Sequence, residues 1–290
     1  MASIQGRVMN PKRFHKSQIK FYVILVPLAI VMGLPIIYIF SQAVKPLDEL
    51  FIYPPKFFAQ NPSLDSFKKL IEAMQGTEIP IYRYFFNSLL TTLLTVIFTV
   101  FITAFAGYAL SKKDFKAKQL IFDLNTAALM FVPIAVKIPK YLVIYKVGLI
   151  DNFWVHIIPG LAMPVGLFLV KQFMDQIPNE LLEAARVDGA GDWYIFMKII
   201  LPLSKSSLAT VIILTFQSAW GAIEASELYL NADNMKTFSY YMTTLTTTGN
   251  DVVGIGMSAA ATLIMFIPNL LIFIFMQKNV MDTMAHSGIK

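Results

Sequence analysis

Cysteine is absent from this chain of 290 residues, which excludes disulfide bonds, thiolate nucleophiles and cysteine-ligated metal sites. Histidine is scarce, and His15, His156 and His286 lie too far apart in sequence to predict a metal site. The sequence also lacks a Gly-x-x-x-x-Gly-Lys-Ser/Thr phosphate loop, a His-Glu-x-x-His run and a Gly-x-Ser-x-Gly elbow. We therefore expect neither covalent catalysis nor a metal or cofactor bound by this chain.

Charge is also in short supply, since only 14% of the residues are charged and 56% are hydrophobic. Several uncharged runs reach the roughly 20 residues that a helix needs to cross a hydrocarbon layer of about 30 Å. The composition predicts an all-α integral membrane protein. The net charge of +6 comes from basic residues dispersed among the connecting segments, so it favours membrane orientation over nucleic-acid binding.

The apolar runs predict a six-span transmembrane domain over residues 21–276. An N-terminal tail occupies residues 1–20, a C-terminal tail occupies residues 277–290, and a charged loop covers residues 171–205. The six predicted spans cover about 21–40, 85–110, 120–138, 153–170, 206–223 and 252–276. Ser41-Gln42-Ala43 is similar to a signal-peptide cleavage site, but the preceding apolar run is too long for a typical signal core, so we interpret it as a retained span.

The charged loop contains Glu183-Ala184-Ala185 followed by Gly189 and later by Ile199-Ile200-Leu201-Pro202. We expect two short helices joined by a hinge, because Gly189 suits the left-handed turn that ends a helix. Helical spacing predicts one shared face for Leu181, Ala184 and Ala185. Asp192 is a candidate cap of the second helix, and we expect Pro202 to interrupt that helix.

This spacing resembles the EAA loop of ATP-binding-cassette importer permeases, and the chain is most similar to the MalG-like permease subunits of carbohydrate importers. Leu50-Phe51-Ile52-Tyr53-Pro54-Pro55 is similar to the first external loop of those sugar permeases. The resemblance implies a type I importer architecture, with two permease chains, here a heterodimer, forming the pore. It also implies two cytoplasmic ATPases that hold ATP and Mg, and an extracellular solute-binding protein.

The resemblance further implies that the loop docks into a cleft on an ATPase. Glu183 would meet a basic group there, Ala184 and Ala185 would permit close approach, and Gly189 would set the angle between the two loop helices. The residues that we assign to this docking surface are Glu180, Leu181, Glu183, Ala184, Ala185, Asp188, Gly189 and Ala190.

The distribution of basic residues predicts the orientation of the chain. Lys and Arg number 15 in the two tails, the 111–119 turn and the charged loop, and 9 in the alternate segments. The positive-inside rule then places both termini and the charged loop in the cytoplasm. We expect a multi-pass protein of the bacterial cell membrane, in contact with lipids and with no nucleic-acid partner.

Three polar positions inside predicted spans leave alternatives open. Gln217 and Asn269 could line a substrate pathway or form hydrogen bonds between helices. Asp123 could be the coupling carboxylate of an ion-driven secondary transporter, although an interfacial ion pair with Lys116 or Lys118 explains it as well. The EAA loop also occurs in permeases for peptides and amino acids, so a peptide or amino-acid substrate is the alternative to an oligosaccharide.

Overall fold

The structure of the protein is a computed structural model. It describes residues 18–75, 78–247 and 251–287. The side chains of residues 47, 246, 247, 251–253 and 278–287 are not described. Residues 1–17, which hold Arg7, Lys12, Arg13 and Lys16 of the predicted N-terminal tail, and residues 288–290 of the C-terminal tail lie outside the described residues. Every regular element in the described ranges is a helix, which agrees with the predicted all-α class.

The five longest α-helices are Ile19–Ala43 (α1), Ile81–Lys112 (α4), Pro164–Asp175 (α7), Lys205–Trp220 (α11) and Asp251–Ser287 (α14) among the described residues. The shorter α-helices are Leu47–Leu50 (α2), Asp65–Gln75 (α3), Lys118–Ala128 (α5), Lys137–Lys146 (α6), Asn179–Val187 (α8), Asp192–Ile195 (α9), Leu201–Leu203 (α10), Glu224–Leu228 (α12) and Phe238–Thr247 (α13). Short 3₁₀-helices occupy Phe153–His156, Ile158–Leu161 and Asp233–Met235, and a π-helix occupies Phe196–Ile200.

Within the part of the chain that the structure describes, five helical segments are long and apolar enough to cross a membrane. They are Ile19–Ala43, Ile81–Lys112, Phe153–Asp175, Lys205–Leu228 and Gly254–Gln277. The third predicted span, 120–138, is not one helix, because α5 ends at Ala128 and α6 begins at Lys137. Pro133 lies between them, where it cannot donate a helical hydrogen bond. Three-residue turns such as Ala135 N to Val132 O, at 3.0 Å, satisfy part of the backbone there, as in broken membrane helices. Six crossings therefore remain a prediction.

The described residues divide into two compact units. The first contains residues 18–69 and 251–263. Most of α1 is exposed in this unit, and only Ser41, Gln42 and Ala43 at its end are buried. The first half of α14 approaches its own unit closely at Gly256, where an added Cβ would lie 2.5 Å from Ser66 Oγ. A side chain larger than hydrogen at this position would therefore separate the two segments.

The second unit contains residues 70–247 and 264–287, and it is built around α4, which packs against both α7 and α11. Most of the buried face of α4 is made of small and polar residues, with Tyr84, Tyr108 and Leu110 as larger buried members, whereas most of its other large apolar side chains are exposed. The small buried residues include Ser88, Thr91, Thr92, Thr95, Thr99, Thr103 and Gly107. Small residues allow close helix packing in membranes, where apolar burial drives association weakly. At Gly107, an added Cβ would lie 2.8 Å from Val170 Cγ1 of α7.

The start of α4 is attached to the segment that follows α12. Asn87 donates through Nδ2 to the carbonyl oxygens of Asn234 and Lys236, each at 2.9 Å. The hydroxyl of Ser88 accepts a hydrogen bond from the backbone N–H of Phe238 at 2.8 Å. The opposite end of α4 leads into the basic turn at Lys112 and Lys113, which contacts the charged loop.

Candidate functional site

Helix α8 forms the centre of the charged loop and ends as its sequence predicts. It begins after Pro178, whose ψ of 139° is extended. Its end is a Schellman motif, in which Gly189 has φ +83° and Ala190 N donates to Ala185 O at 2.9 Å. A second bond joins Gly189 N to Arg186 O at 3.0 Å. The predicted left-handed conformation of Gly189 is confirmed.

One face of α8 is anchored in a hydrophobic core. Leu182 is only 3% exposed and belongs to a cluster with Met174, Ile195 and Phe196, against which Ala185 and Ala190 pack. Leu182 was not among the residues predicted from the sequence to form this site. The three residues predicted to share a face, Leu181, Ala184 and Ala185, differ in burial, because Ala185 lies half-buried on the Leu182 side while Leu181 and Ala184 are exposed. Helical spacing predicted neighbours correctly but could not tell which side of the helix meets the core.

The opposite side of α8, which we call the outer face, carries carboxylates beside apolar groups. It is formed by the exposed residues Glu180, Leu181, Glu183, Ala184, Val187 and Asp188. Val187 is 88% exposed and Leu181 47%, so the outer face presents apolar surface beside its carboxylates. No ion pair joins Glu180 or Glu183 to another described residue. Both carboxylates are therefore open to a partner.

The second helix of the loop differs from the prediction in two respects. Gly191 precedes α9, and the Asp192 side chain forms no cap; instead, Asp192 Oδ1 lies 2.5 Å from Lys113 Nζ and 3.6 Å from Arg186 Nη2. Pro202 does not end the helix either, because the π-helix Phe196–Ile200 precedes it and the helical backbone continues to Leu203. A wider π turn is a known way to accommodate a break in helical hydrogen bonding.

Two lysines at the end of α4 hold both helices of the loop. Lys112 Nζ donates to Ile177 O at 2.5 Å and to Asn179 Oδ1 at 3.1 Å, beside the start of α8. Lys113 reaches Asp192 at the start of α9. The hydrogen bond from Lys113 lowers the pKa of Asp192, and the charges of Lys113 and Arg186 lower this pKa further. The carboxylate is thus ionised at neutral pH, and this attachment is lost only as the pH falls through the lowered pKa.

An aromatic cluster reinforces the attachment to α4. Phe105 stacks on Phe196 with ring centroids 4.6 Å apart and on Trp193 at 5.9 Å. Tyr108, one turn further along α4, lies 5.2 Å from Phe196. Polar contacts and ring contacts therefore both connect the loop to α4. The basic residues of this turn are evident in the sequence, but their partners lie 65 or more residues away and could not be predicted from it.

The two residues predicted for a substrate pathway are not joined by a hydrogen bond in the described structure. Gln217 is exposed near the end of α11. Asn269 is partly buried in α14, where Nδ2 donates to Met265 O at 3.4 Å within its own helix and Oδ1 has no described partner. The nearby link between α11 and α14 is instead Trp220 Nε1, which donates to Met265 O at 3.1 Å. A pathway role for Gln217 and Asn269 remains a prediction.

A recess of about 230 Å³ lies beside α4 and α7, and sequence analysis did not predict it. Its lining is mostly apolar, with Thr103 of α4 and Asn125 of α5 as polar members. Asn125 Nδ2 donates to Pro164 O at 3.1 Å, which connects α5 to the start of α7. The sequence feature that could have indicated this recess is Asn125, a polar amide within the apolar run 120–138.

Asp123 has a partner one turn away in its own helix, and His156 has a partner from a distant segment. Gln119 Nε2 donates to Asp123 Oδ1 at 2.8 Å, whereas Lys118 pairs with Asp114 at 3.3 Å. The ion pair predicted between Asp123 and Lys116 or Lys118 is therefore not observed. His156 Nε2 lies 3.0 Å from Met235 O. Among the described residues, no group of three or more His, Cys, Asp or Glu side chains could hold a metal ion.

Comparison with known proteins identifies the family. Residues 113–280 match the family described as binding-protein-dependent transport system inner membrane component. The chain is 28% identical over 273 residues to the galactooligosaccharides transport system permease protein GanQ of Bacillus subtilis, covering 93% of this chain and 94% of that protein. It is 29% identical over 216 residues to the arabinooligosaccharides transport system permease protein AraQ of Halalkalibacterium halodurans, covering 74% and 76% of the two chains.

A solved structure shares the fold. It is the crystal structure of a bacterial ABC transporter involved in the import of the acidic polysaccharide alginate, which superposes with a TM-score of 0.72 at 22% sequence identity. The superposition covers 92% of this chain and 99% of that chain. The family match covers more than half of the sequence, including α8, α9 and Lys113. The chain therefore belongs to the binding-protein-dependent transport system inner membrane components, the permease subunits of ABC importers.

Proposed function

We propose that this chain is one of two different permease subunits of an ATP-driven importer for oligosaccharides. The observation that carries the proposal is the outer face of α8, which exposes Glu180, Glu183 and Val187 on a loop fixed to α4 by Lys112 and Lys113. Such a surface suits a partner that drives α4 through the loop. The printed functions of GanQ and AraQ, together with alginate import by the structural relative, support an oligosaccharide as the cargo.

In this proposal the chain supplies half of the translocation pathway and no ATP chemistry. Two cytoplasmic ATPases hold ATP and Mg, and an extracellular solute-binding protein delivers the sugar. Both termini and the charged loop lie in the cytoplasm, as the excess of basic residues in those segments favours. ATPase closure presses on α8, and the contacts of Phe105 and Lys113 convey the movement to α4.

Reconstituted transport tests the proposal. The chain is co-purified with its partner permease and ATPase, placed in proteoliposomes and supplied with the binding protein and a labelled galacto- or arabino-oligosaccharide. We expect uptake to require ATP and to persist when an ionophore dissipates ion gradients. ATP-independent uptake that the ionophore abolishes would identify a secondary transporter. ATP-driven uptake of peptides or amino acids, with no oligosaccharide uptake, would retain the permease and overturn the cargo.

A further inference from the structure

The segment that follows α1 exposes an unusual concentration of aromatic side chains. Within residues 51–58, which we call the aromatic loop, Tyr53 is 92% exposed, Phe58 66% and Phe51 62%. Large apolar side chains that are exposed together on a surface commonly mark a contact with a membrane or a protein. The transport mechanism proposed above assigns no role to them.

The aromatic loop is held in one conformation by buried polar groups. Glu49 is buried, and its carboxylate accepts hydrogen bonds from Gln60 N at 2.9 Å and Asn61 N at 2.7 Å. Lys45 is also buried and donates through Nζ to the carbonyl oxygen of Lys56 in the middle of the loop. Because the backbone is already ordered, exposing the aromatic groups to a binding surface requires little further loss of conformational entropy.

The aromatic loop contacts the C-terminal end of α1. The Ser41 hydroxyl donates to Phe57 O at 2.8 Å and accepts from Ala59 N at 3.0 Å. One turn earlier in α1, the Tyr38 ring lies 5.4 Å from the Phe57 ring. The 25 residues of α1 at about 1.5 Å each exceed a hydrocarbon layer of about 30 Å, so α1 is long enough for its last turns to reach the headgroup region. Phe57 lies beside those last turns.

We propose that the aromatic loop is a membrane-interface anchor, with Phe51, Tyr53 and Phe58 inserted among the lipid headgroups at the end of α1. Tyr favours this zone because its ring is apolar and its hydroxyl reaches water, and Phe51 and Phe58 add apolar surface that can enter the boundary between headgroups and acyl chains. The exposed apolar surface continues onto α1 itself through residues such as Phe40, 56% exposed, which favours lipid over a protein partner. Lys56, beside the aromatic groups, adds attraction to anionic lipids. The inference requires α1 to span the membrane and does not depend on what the protein transports.

Depth measurement by spin labelling tests this placement, and the absence of cysteine makes each introduced cysteine unique. A nitroxide is attached to Tyr53→Cys or Phe58→Cys, and the protein is placed in vesicles of phosphatidylethanolamine and phosphatidylglycerol. The collision rate of the nitroxide with oxygen, which concentrates in lipid, is divided by its collision rate with a water-soluble nickel chelate. This oxygen-to-nickel ratio rises with depth in the membrane. Lys68→Cys, at a side chain 71% exposed within the same unit, is the aqueous control. Val31→Cys, 62% exposed in the middle of α1, is the hydrocarbon control.

We expect the oxygen-to-nickel ratio at positions 53 and 58 to lie above the Lys68→Cys value and below the Val31→Cys value. A label at Gln60→Cys leaves the aromatic groups in place and should also show an interfacial ratio. When Tyr53→Ser and Phe58→Ser are added to Gln60→Cys, the ratio at position 60 should fall toward the aqueous value. Aqueous ratios at all three labelled positions would overturn the anchor. Protection that appears only after the solute-binding protein is added would also overturn it, in favour of a protein contact.

Discussion

Lys113 Nζ lies 2.5 Å from Asp192 Oδ1, and this pair joins the turn after α4 to the first residue of α9. The two residues are 79 positions apart in sequence. Arg186, in the last turn of α8, approaches the same carboxylate at 3.6 Å. One carboxylate thereby connects both helices of the charged loop to the long helix that forms the centre of its unit.

Reversing the charge at Lys113 should uncouple ATP hydrolysis from transport. In Lys113→Glu, repulsion from Asp192 releases α9 from α4, so we expect several-fold less substrate imported per ATP hydrolysed. The pair is partly solvent-exposed, so the protein should still fold and insert. Uptake and ATP hydrolysis are measured together in proteoliposomes. The exchanged pair Lys113→Asp with Asp192→Lys should recover part of the coupling, limited by Arg186, and an unchanged ratio in Lys113→Glu would contradict the role.

Replacing Gly189 should reorient α8 through the backbone alone. Its φ is +83°, and an added Cβ would meet no atom within 4 Å, so Gly189→Ala carries only the left-handed backbone penalty of about 1–2 kcal/mol. Gly189→Val should be worse, with loss of uptake but normal membrane insertion. Gly191 is the matched control, because it also has open space around its Cβ position and has φ −71°. Gly191→Ala should transport normally, and equal effects at the two glycines would exclude a special role for the positive φ.

Adjacent leucines in α8 should separate folding from docking. Leu182 is 3% exposed in the core, whereas Leu181 is 47% exposed on the outer face. Leu182→Ala should destabilise the protein by about 2–5 kcal/mol, as expected for a core cavity, and lower its melting temperature in detergent. Leu181→Ala should leave the melting temperature nearly unchanged but reduce the amount of ATPase that co-purifies. A lower melting temperature in Leu181→Ala alone would contradict this assignment of faces.

Charge at Glu183 should decide ATPase recruitment. A well-formed charge-assisted contact is worth roughly 1.5–3 kcal/mol, so Glu183→Lys should weaken binding by about tenfold or more. Glu183→Gln keeps a hydrogen-bond acceptor and should weaken it less, and Glu180→Gln should have the smallest effect. The measurement is the ATPase retained when each permease variant is purified in detergent. Full retention by Glu183→Lys would show that Glu183 does not make the contact.

Reporter fusions should establish the orientation that the 15-to-9 distribution of basic residues predicts. A reporter placed after Lys290 should be active as a cytoplasmic fusion, and one inserted after Gln60 should behave as external. An even number of crossings puts both ends of a chain on the same side of the membrane. If α1 is the first of six spans, residues 1–17 should therefore lie on the same side as Lys290. Finding both reporters on one side of the membrane would remove the six-span arrangement.

Sequence by itself determined the features that depend on local physics. Uncharged runs predicted the long helices because length and hydropathy decide whether a segment can cross a membrane. The spacing from Glu183 to Gly189 predicted α8 and its left-handed end, since only glycine adopts φ +83° without strain. The same spacing, with Ile199, Leu201 and Pro202, carried the resemblance to importer permeases that the family match later confirmed.

Tertiary structure decided everything that depends on which groups meet. Helical spacing placed Ala185 beside Leu181, but the core contacts the Leu182 side and turns Ala185 inward. Asp192 had the sequence position of a helix cap, yet Lys113 provides a stronger, charged partner from a distant segment. In both cases several partners were compatible with the local sequence, and only the three-dimensional packing of α4 against the charged loop selected one.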